Sequence, residues 1–308
     1  MIVDRLRHLA RIFAVEVCAY AIMANHYHTI LRTRPDIVAR WSAREVAIRW
    51  LTLFPLKPND QPPSELQILS LTNCPERIAQ LRRRLSSLSW FMARLNEFVA
   101  RNANKEDNVK GRFWESRFKC QALLDDAAIL ACMVYVDLNP IRAALASTPE
   151  DSDFTSIQQR IREWYGAYPG NPDVGNGFIR KELEPSTPIH PDSVSEAGWL
   201  CPIQSDAHGG GLLQMTEMEY FDLVDRSGRI LKSPQHGAID SGLIPILLRF
   251  GANPEAWTNT VTRFGSGFGL AAGLVSSLRA FANRLGRRWM AGIGMARVAF
   301  APASASSI

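Results

Sequence analysis

Cysteine is sparse and unpatterned in this chain: five residues (Cys18, Cys74, Cys120, Cys132, Cys201) in 308, with no C-x-x-C spacing. Neither a zinc knot nor a disulfide framework is indicated, and the expected compartment is reducing. Long apolar runs are also missing. The most apolar stretch, Gly265 to Leu278, is too short and too rich in Gly and Ser to supply the ~20 residues of a membrane helix. The first eleven residues alternate apolar and basic side chains and lack the continuous apolar core of a secretory signal. A cytoplasmic protein with no membrane partner is expected.

What is present is enough for a large core. Hydrophobic residues make up 46% of the chain and charged ones 21%, ordinary values for a globular protein. The length suits one large or two moderate domains. The formal charge of +5 leans toward a polyanionic partner, because phosphate backbones attract Lys and Arg whatever the sequence. A solvated basic surface accounts for that charge equally well.

Against this background His26-Tyr27-His28 stands out, inside Ala21 to Leu31. Val3 to Phe13 has apolar residues at Leu6, Leu9, Ile12 and Phe13, a helical spacing. Val15 to Met23 is apolar and β-prone, Ala24-Asn25 permits a tight turn, and His26 to Arg32 continues as a second strand. Residues two apart in a strand share a face, so both imidazoles can converge on one metal ion while Tyr27 turns toward the core. A purely structural histidine pair is the competing reading.

From Asp36, read as an N-cap, to Phe54 one helical pattern runs through Val38, Trp41, Val46, Ile48 and Leu51. Pro55, Pro58, Pro62 and Pro63 then impose a loop. Helices follow over Pro75 to Leu85, with Arg77, Arg82, Arg83 and Arg84 expected to line a surface, and over Leu88 to Asn102. Lys110 to Lys119 interleaves basic and aromatic residues in a β-prone run. That suits single-stranded nucleic acid, where aromatics stack on bases and cations meet phosphates, and it suits a half-buried strand with a charged outer face. Asp125 or Asp126 then caps a helix carrying Ile129, Leu130, Cys132, Met133 and Val136. Tyr135 and Asn139 stand four apart on it, hence on one face, and Pro140 ends or kinks it. Taken singly, Tyr135 reads as a boundary aromatic and Asn139 as a helix-ending residue.

In order along the chain, His-hydrophobic-His on a strand, Arg112-Phe113-Trp114-Glu115, and Tyr135-Val136-Asp137-Leu138-Asn139-Pro140-Ile141-Arg142-Ala143 resemble the REP-associated tyrosine transposases, of the single-tyrosine HUH superfamily. The resemblance covers about residues 1 to 165 and includes Asp153-Phe154-Thr155-Ser156 at its end. It implies an α+β catalytic domain, a ferredoxin-like antiparallel sheet with helices on one face. The family's first strand precedes its first helix and this chain starts almost at that helix, so that strand is expected to be missing.

The activity implied is metal-dependent cleavage and rejoining of single-stranded DNA, at palindromic hairpins, in DNA transposition. Tyr135 would be the nucleophile, forming a 5′-phosphotyrosine and freeing a 3′-hydroxyl. His26, His28 and Asn139 would hold Mg²⁺ or Mn²⁺, and Arg112, Trp114, Arg117, Lys119 and Arg142 would contact DNA. A two-nitrogen, one-amide site leaves coordination open for phosphate oxygens. No general base stands out. The partner is single-stranded or hairpin DNA, the location nucleoid-associated within the cytoplasm, and the state a monomer or a homodimer. Two rivals remain: a non-catalytic nucleic-acid-binding regulator on the same fold, and a metal-dependent hydrolase using activated water.

After Trp164 the composition changes. Residues 166–211 are rich in Pro, Gly, Ser and Asp and read as a flexible linker. Residues 212–300 read as a mainly α-helical C-terminal domain of unknown role, with helices over Thr216 to Val224, Leu243 to Phe250, from Asn253-Pro254, and over Ser276 to Met290. The last carries Arg279, Arg284, Arg287 and Arg288, suited to gripping phosphates or simply to facing solvent. Residues 301–308 read as a disordered tail.

Overall fold

A computed structural model describes residues 1–55, 62–167, 198–204, 211–232 and 242–300 of the chain. The expected disordered tail lies outside them, as does most of the linker. The N-terminal helix α1 (Ile2–Ile12) forms where the periodicity puts it and buries Leu6, Leu9 and Ile12 on one stripe. It feeds β1 (Val15–Ile22), which pairs antiparallel with β2 (Tyr27–Thr33) across the Ala24-Asn25 turn.

The hairpin register shifts between Val17 and Ala19, which leaves Cys18 as the extra residue of a bulge. The shift places Cys18, Ala19 and Ala21 in one core, whereas Val15, Val17 and Tyr20 enter a second core on the opposite face. On β2, Ile30 joins the first core and Tyr27 and Leu31 the second. The hairpin is therefore the middle layer between two groups of helices, and the expectation of helices on one face gives way to helices on both. The reason is that both faces of β1 are apolar, so each must be covered.

One face is covered by α1 and five further helices. The single pattern expected from Asp36 to Phe54 divides into α2 (Pro35–Arg40) and α3 (Ala43–Leu53). Ser42 accepts from Glu45 N at 3.0 Å and caps α3, while Asp36 sits in the first turn of α2 and pairs with Arg34 instead of capping. Helix α4 (Glu65–Thr72) is an addition; its signature was the capping box Ser64-x-x-Gln67. Helices α5 (Pro75–Leu85) and α6 (Leu88–Glu106) follow as read. Two of the α5 arginines are used inside the fold, Arg82 donating to the carbonyls of Val38 and Trp41 and Arg84 lying over Trp50 and Trp90, while Arg83 is exposed.

The expected strand over Lys110–Lys119 is absent; the segment is an exposed, irregular loop with Gly111 at φ +119°. Phe113 and Trp114 are adjacent, so the run has no single apolar face to lay on a sheet. The chain regains a short strand at β3 (Ala122–Leu123), parallel to β4 (Ala271–Ala272). Asp125 caps α7 (Asp126–Asp137) by accepting from Ala128 N at 3.1 Å, and its other oxygen accepts from Leu274 N at 2.7 Å. After α7 come the one-turn α8 (Asn139–Arg142), begun by Pro140, and α9 (Ser156–Ala167), which the sequence reading did not contain.

Part of the expected linker packs. Leu200, Cys201 and Ile203 are buried, and Leu200 bridges Val17 on the edge of β1 opposite β2. Apolar Trp199 to Ile203 interrupts the polar stretch, which is why this piece docks. The C-terminal helices are α10 (Glu217–Lys232), α11 (Ile244–Arg249), α12 (Trp257–Gly267), α13 (Val275–Arg284) and α14 (Ile293–Ala299). Their buried residues, among them Tyr220, Trp257, Phe264 and Leu278, share one core with α7, α9 and the hairpin. The overall class is α+β, and among the described residues the antiparallel sheet has two strands.

Candidate active site

The site is assembled by the hairpin register. His28 pairs with Ala21 and lies on the β2 face that looks toward α7, while Tyr27 points the other way. The small side chain of Ala21 leaves room for an imidazole above it. His26 precedes β2 on the same face, and the two imidazole centroids are 5.0 Å apart, edge to face. His26 Nδ1 is 2.6 Å from Asn25 Oδ1. An amide oxygen only accepts, so the proton of this bond belongs to Nδ1.

His28 is half-buried, and its pKa is pushed down to about 4, first by burial and then by the positive charges of His26 and Arg142. The ring is thus neutral at pH 7, the form that ligates a metal. Tyr135, on α7, meets it edge-on with centroids 5.6 Å apart. Hairpin and helix together bring His26, His28 and Tyr135 into one cluster.

Asn139 is buried. Its carboxamide nitrogen donates to the carbonyls of Tyr135 at 2.9 Å and Val136 at 3.3 Å. That nitrogen closes the end of α7, so the oxygen is the atom left for a cation. Arg142 lies over the Tyr135 ring at 4.8 Å and donates to Thr262 O at 2.7 Å. Phe264 packs on the same ring, with centroids 6.1 Å apart, and Gly265 meets the phenol oxygen so closely that a Cβ there would lie 2.6 Å from it. Helix α12 is therefore the wall against the Tyr135 hydroxyl.

Asp137 is a contributor that sequence reasoning missed. It is fully buried, and it accepts from Ser156 Oγ at 2.5 Å, Ile157 N at 3.1 Å and Tyr220 Oη at 2.5 Å, so it ties α7 to α9 and α10. Burial pushes its carboxyl up to about 6 against those three donors and Arg160. Its position holds the helix end that carries Tyr135 and Asn139. The available signal was an acid in the last turn of an otherwise apolar helix, which has to find buried donors.

The remaining DNA-contact candidates sit elsewhere. Trp114 donates from Nε1 to Asn96 O at 2.9 Å and packs on Tyr27, whose hydroxyl donates to Asn96 Oδ1. It is an anchor for the loop on the hairpin face away from His26 and His28. Arg112, Arg117 and Lys119 are exposed along that loop. Among the described residues no group of three or more His, Cys, Asp or Glu comes together. No helix among them is long and apolar enough to cross a membrane. Comparison with family models, curated proteins and solved structures returned no match.

Proposed function

We propose that the protein is a tyrosine transposase that cleaves and rejoins single-stranded DNA, with hairpin DNA as its partner in the nucleoid. The observation that carries this reading is the Tyr135 ring set against His28, with His26 beside it. On this reading the hairpin and α7 are the centre of a ferredoxin-like catalytic half, followed by a helical C-terminal half.

On this reading His26 and His28, through ring nitrogens, and Asn139, through its amide oxygen, would hold a Mg²⁺ or Mn²⁺ ion with positions left for phosphate. Such an ion would polarise the scissile phosphate and offset the charge that builds on it. Tyr135 Oη attacks phosphorus, its proton passes to solvent, and the bond to the 3′ oxygen breaks. The products are a 5′-phosphotyrosine and a 3′-hydroxyl, which takes its proton from water. Covalent storage of the bond permits rejoining without ATP.

Incubation with labelled hairpins from the DNA flanking its own gene, in Mn²⁺, should give an adduct that survives denaturing electrophoresis. Tyr135→Phe should lose the adduct while keeping DNA binding, and an adduct in that variant overturns the reading. The packing of α12 on the Tyr135 hydroxyl favours a second reading, a DNA-binding regulator on the same scaffold. Hairpin binding without nicking by the unaltered chain would establish that one instead.

A further inference from the structure

Two cysteines far apart in sequence meet in the fold. Cys18 is the bulge residue of β1, and Cys201 lies in the segment that docks on that strand's outer edge. Leu200 bridges Val17 in parallel and Cys201 N donates to Val17 O at 2.9 Å, which makes Cys18 and Cys201 the next neighbours along the two chains. Both enter the same core. One guanidinium nitrogen, Arg160 Nη2, donates to Cys18 O at 2.9 Å and to Cys201 O at 2.7 Å, pinning the two backbones together. Neighbouring strands run about 4.8 Å apart, inside the Cα separation of roughly 4.4–6.8 Å that a disulfide spans.

The two sulfurs are chemically unequal. Cys18 donates a hydrogen bond to Cys201; this bond and burial push the Cys18 thiol well above its usual range. The same bond holds Cys201 below its ordinary value, and Arg32 Nη2 donates to Cys201 Sγ at 3.2 Å. A cysteine sulfur that accepts from a guanidinium, with a second thiol beside it, is the arrangement of an attacking and a resolving cysteine.

We infer that Cys18 and Cys201 form a reversible redox-modification site, closed to a disulfide by a small peroxide and reopened by thiols. The Cys201 thiolate attacks one oxygen of hydrogen peroxide, the O–O bond breaks, and the released hydroxide takes up the thiol's proton as water, leaving Cys201 as a sulfenic acid. Cys18 sulfur then attacks that sulfur, and the hydroxyl leaves with the Cys18 proton as a second water. Peroxide gains two electrons and the two thiols lose them. Access needs local opening of 198–204, which the Cys201–Val17 backbone hydrogen bond, the Arg160 guanidinium and the stacking of Trp199 on Tyr20 hold to β1. The product would be a covalent tether between β1 and the chain beyond residue 197, independent of any DNA chemistry.

The test uses the full chain with Cys74→Ser and Cys120→Ser, both exposed positions. After graded hydrogen peroxide and alkylation in denaturant, the free-thiol titre should fall by two. Digestion should release a cross-linked peptide pair containing Cys18 and Cys201, and dithiothreitol should reverse both changes. In a further Cys18→Ser variant, dimedone should label Cys201. Recovery of Cys18 and Cys201 as free thiols, or Cys201 driven to sulfinic acid with no cross-link while Cys18 is present, would overturn the inference.

Discussion

Gly265→Ala tests where the Tyr135 hydroxyl lies. An added Cβ would sit 2.6 Å from the phenol oxygen, 3.1 Å from Cζ and 3.7 Å from Cε1. Carbon contacts prefer about 3.5–4.0 Å, so the oxygen contact is the impossible one and the ring contacts are merely tight. Overpacking of this kind costs roughly 1–3 kcal/mol. Gly265 is also inside α12, where alanine gains up to ~1 kcal/mol of helix propensity. The net loss in the unaltered protein should therefore be about 0–2 kcal/mol. In a Tyr135→Phe background the worst contact vanishes while the helix gain stays, so the same substitution should turn neutral or mildly stabilising. Urea unfolding of the four proteins gives the coupling directly, expected at about 1–2 kcal/mol. Equal effects of Gly265→Ala in both backgrounds, within about 0.5 kcal/mol, would show that the hydroxyl does not face α12.

Further predictions follow from the buried groups and the loop. Asp137 titrates near 6 in the fold and near 4 unfolded, so its raised pKa contributes stability that is present below pH 4 and lost as pH rises through 6. Against Asp137→Asn, the wild-type protein should lose about 3 kcal/mol over that window, measured by urea unfolding at each pH; a flat difference contradicts the burial argument. His28 has the opposite sign: its depressed pKa makes its contribution full above about 6.5 and lost as pH falls toward 4. His28→Ala should accordingly be least different from wild type in acid. Trp114→Ala should cost about 1–3 kcal/mol of stability, because its indole holds the loop to Asn96 and Tyr27. Arg117→Ala and Lys119→Ala should leave stability unchanged and each lower the slope of log affinity for single-stranded DNA against log salt by about 1.

The local elements were legible where one physical signal dominated. Period 3.6 gave α1, α5 and α6, an aspartate cap gave the start of α7, and two β-prone runs about a small turn gave the hairpin with its same-face histidines. The meeting of His28 with Tyr135 depended on which face of the hairpin α7 covers, and that is decided by long-range packing around Ala19, Ala21 and Ile30. Alternation alone could not reveal the bulge at Cys18, since one inserted residue leaves the composition of the strand unchanged. The Lys110–Lys119 run misled because aromatic and basic residues favour a strand only when a partner edge exists. The partners of Asp137, and the roles of Gly265 and the Cys18–Cys201 contact, were invisible for a shared reason: each comes from a segment more than fifteen residues away along the chain.

The central claim, that Tyr135 is a nucleophile beside an imidazole pair, is tested most directly by locating the covalent bond. After reaction with a single-stranded hairpin in Mn²⁺, nuclease trimming and proteolysis, mass spectrometry should find the 5′-phosphonucleotide on the peptide containing Tyr135, and on no peptide from His26→Ala protein. DNA cleaved with Tyr135 unmodified, or an adduct mapped to another residue, would contradict it.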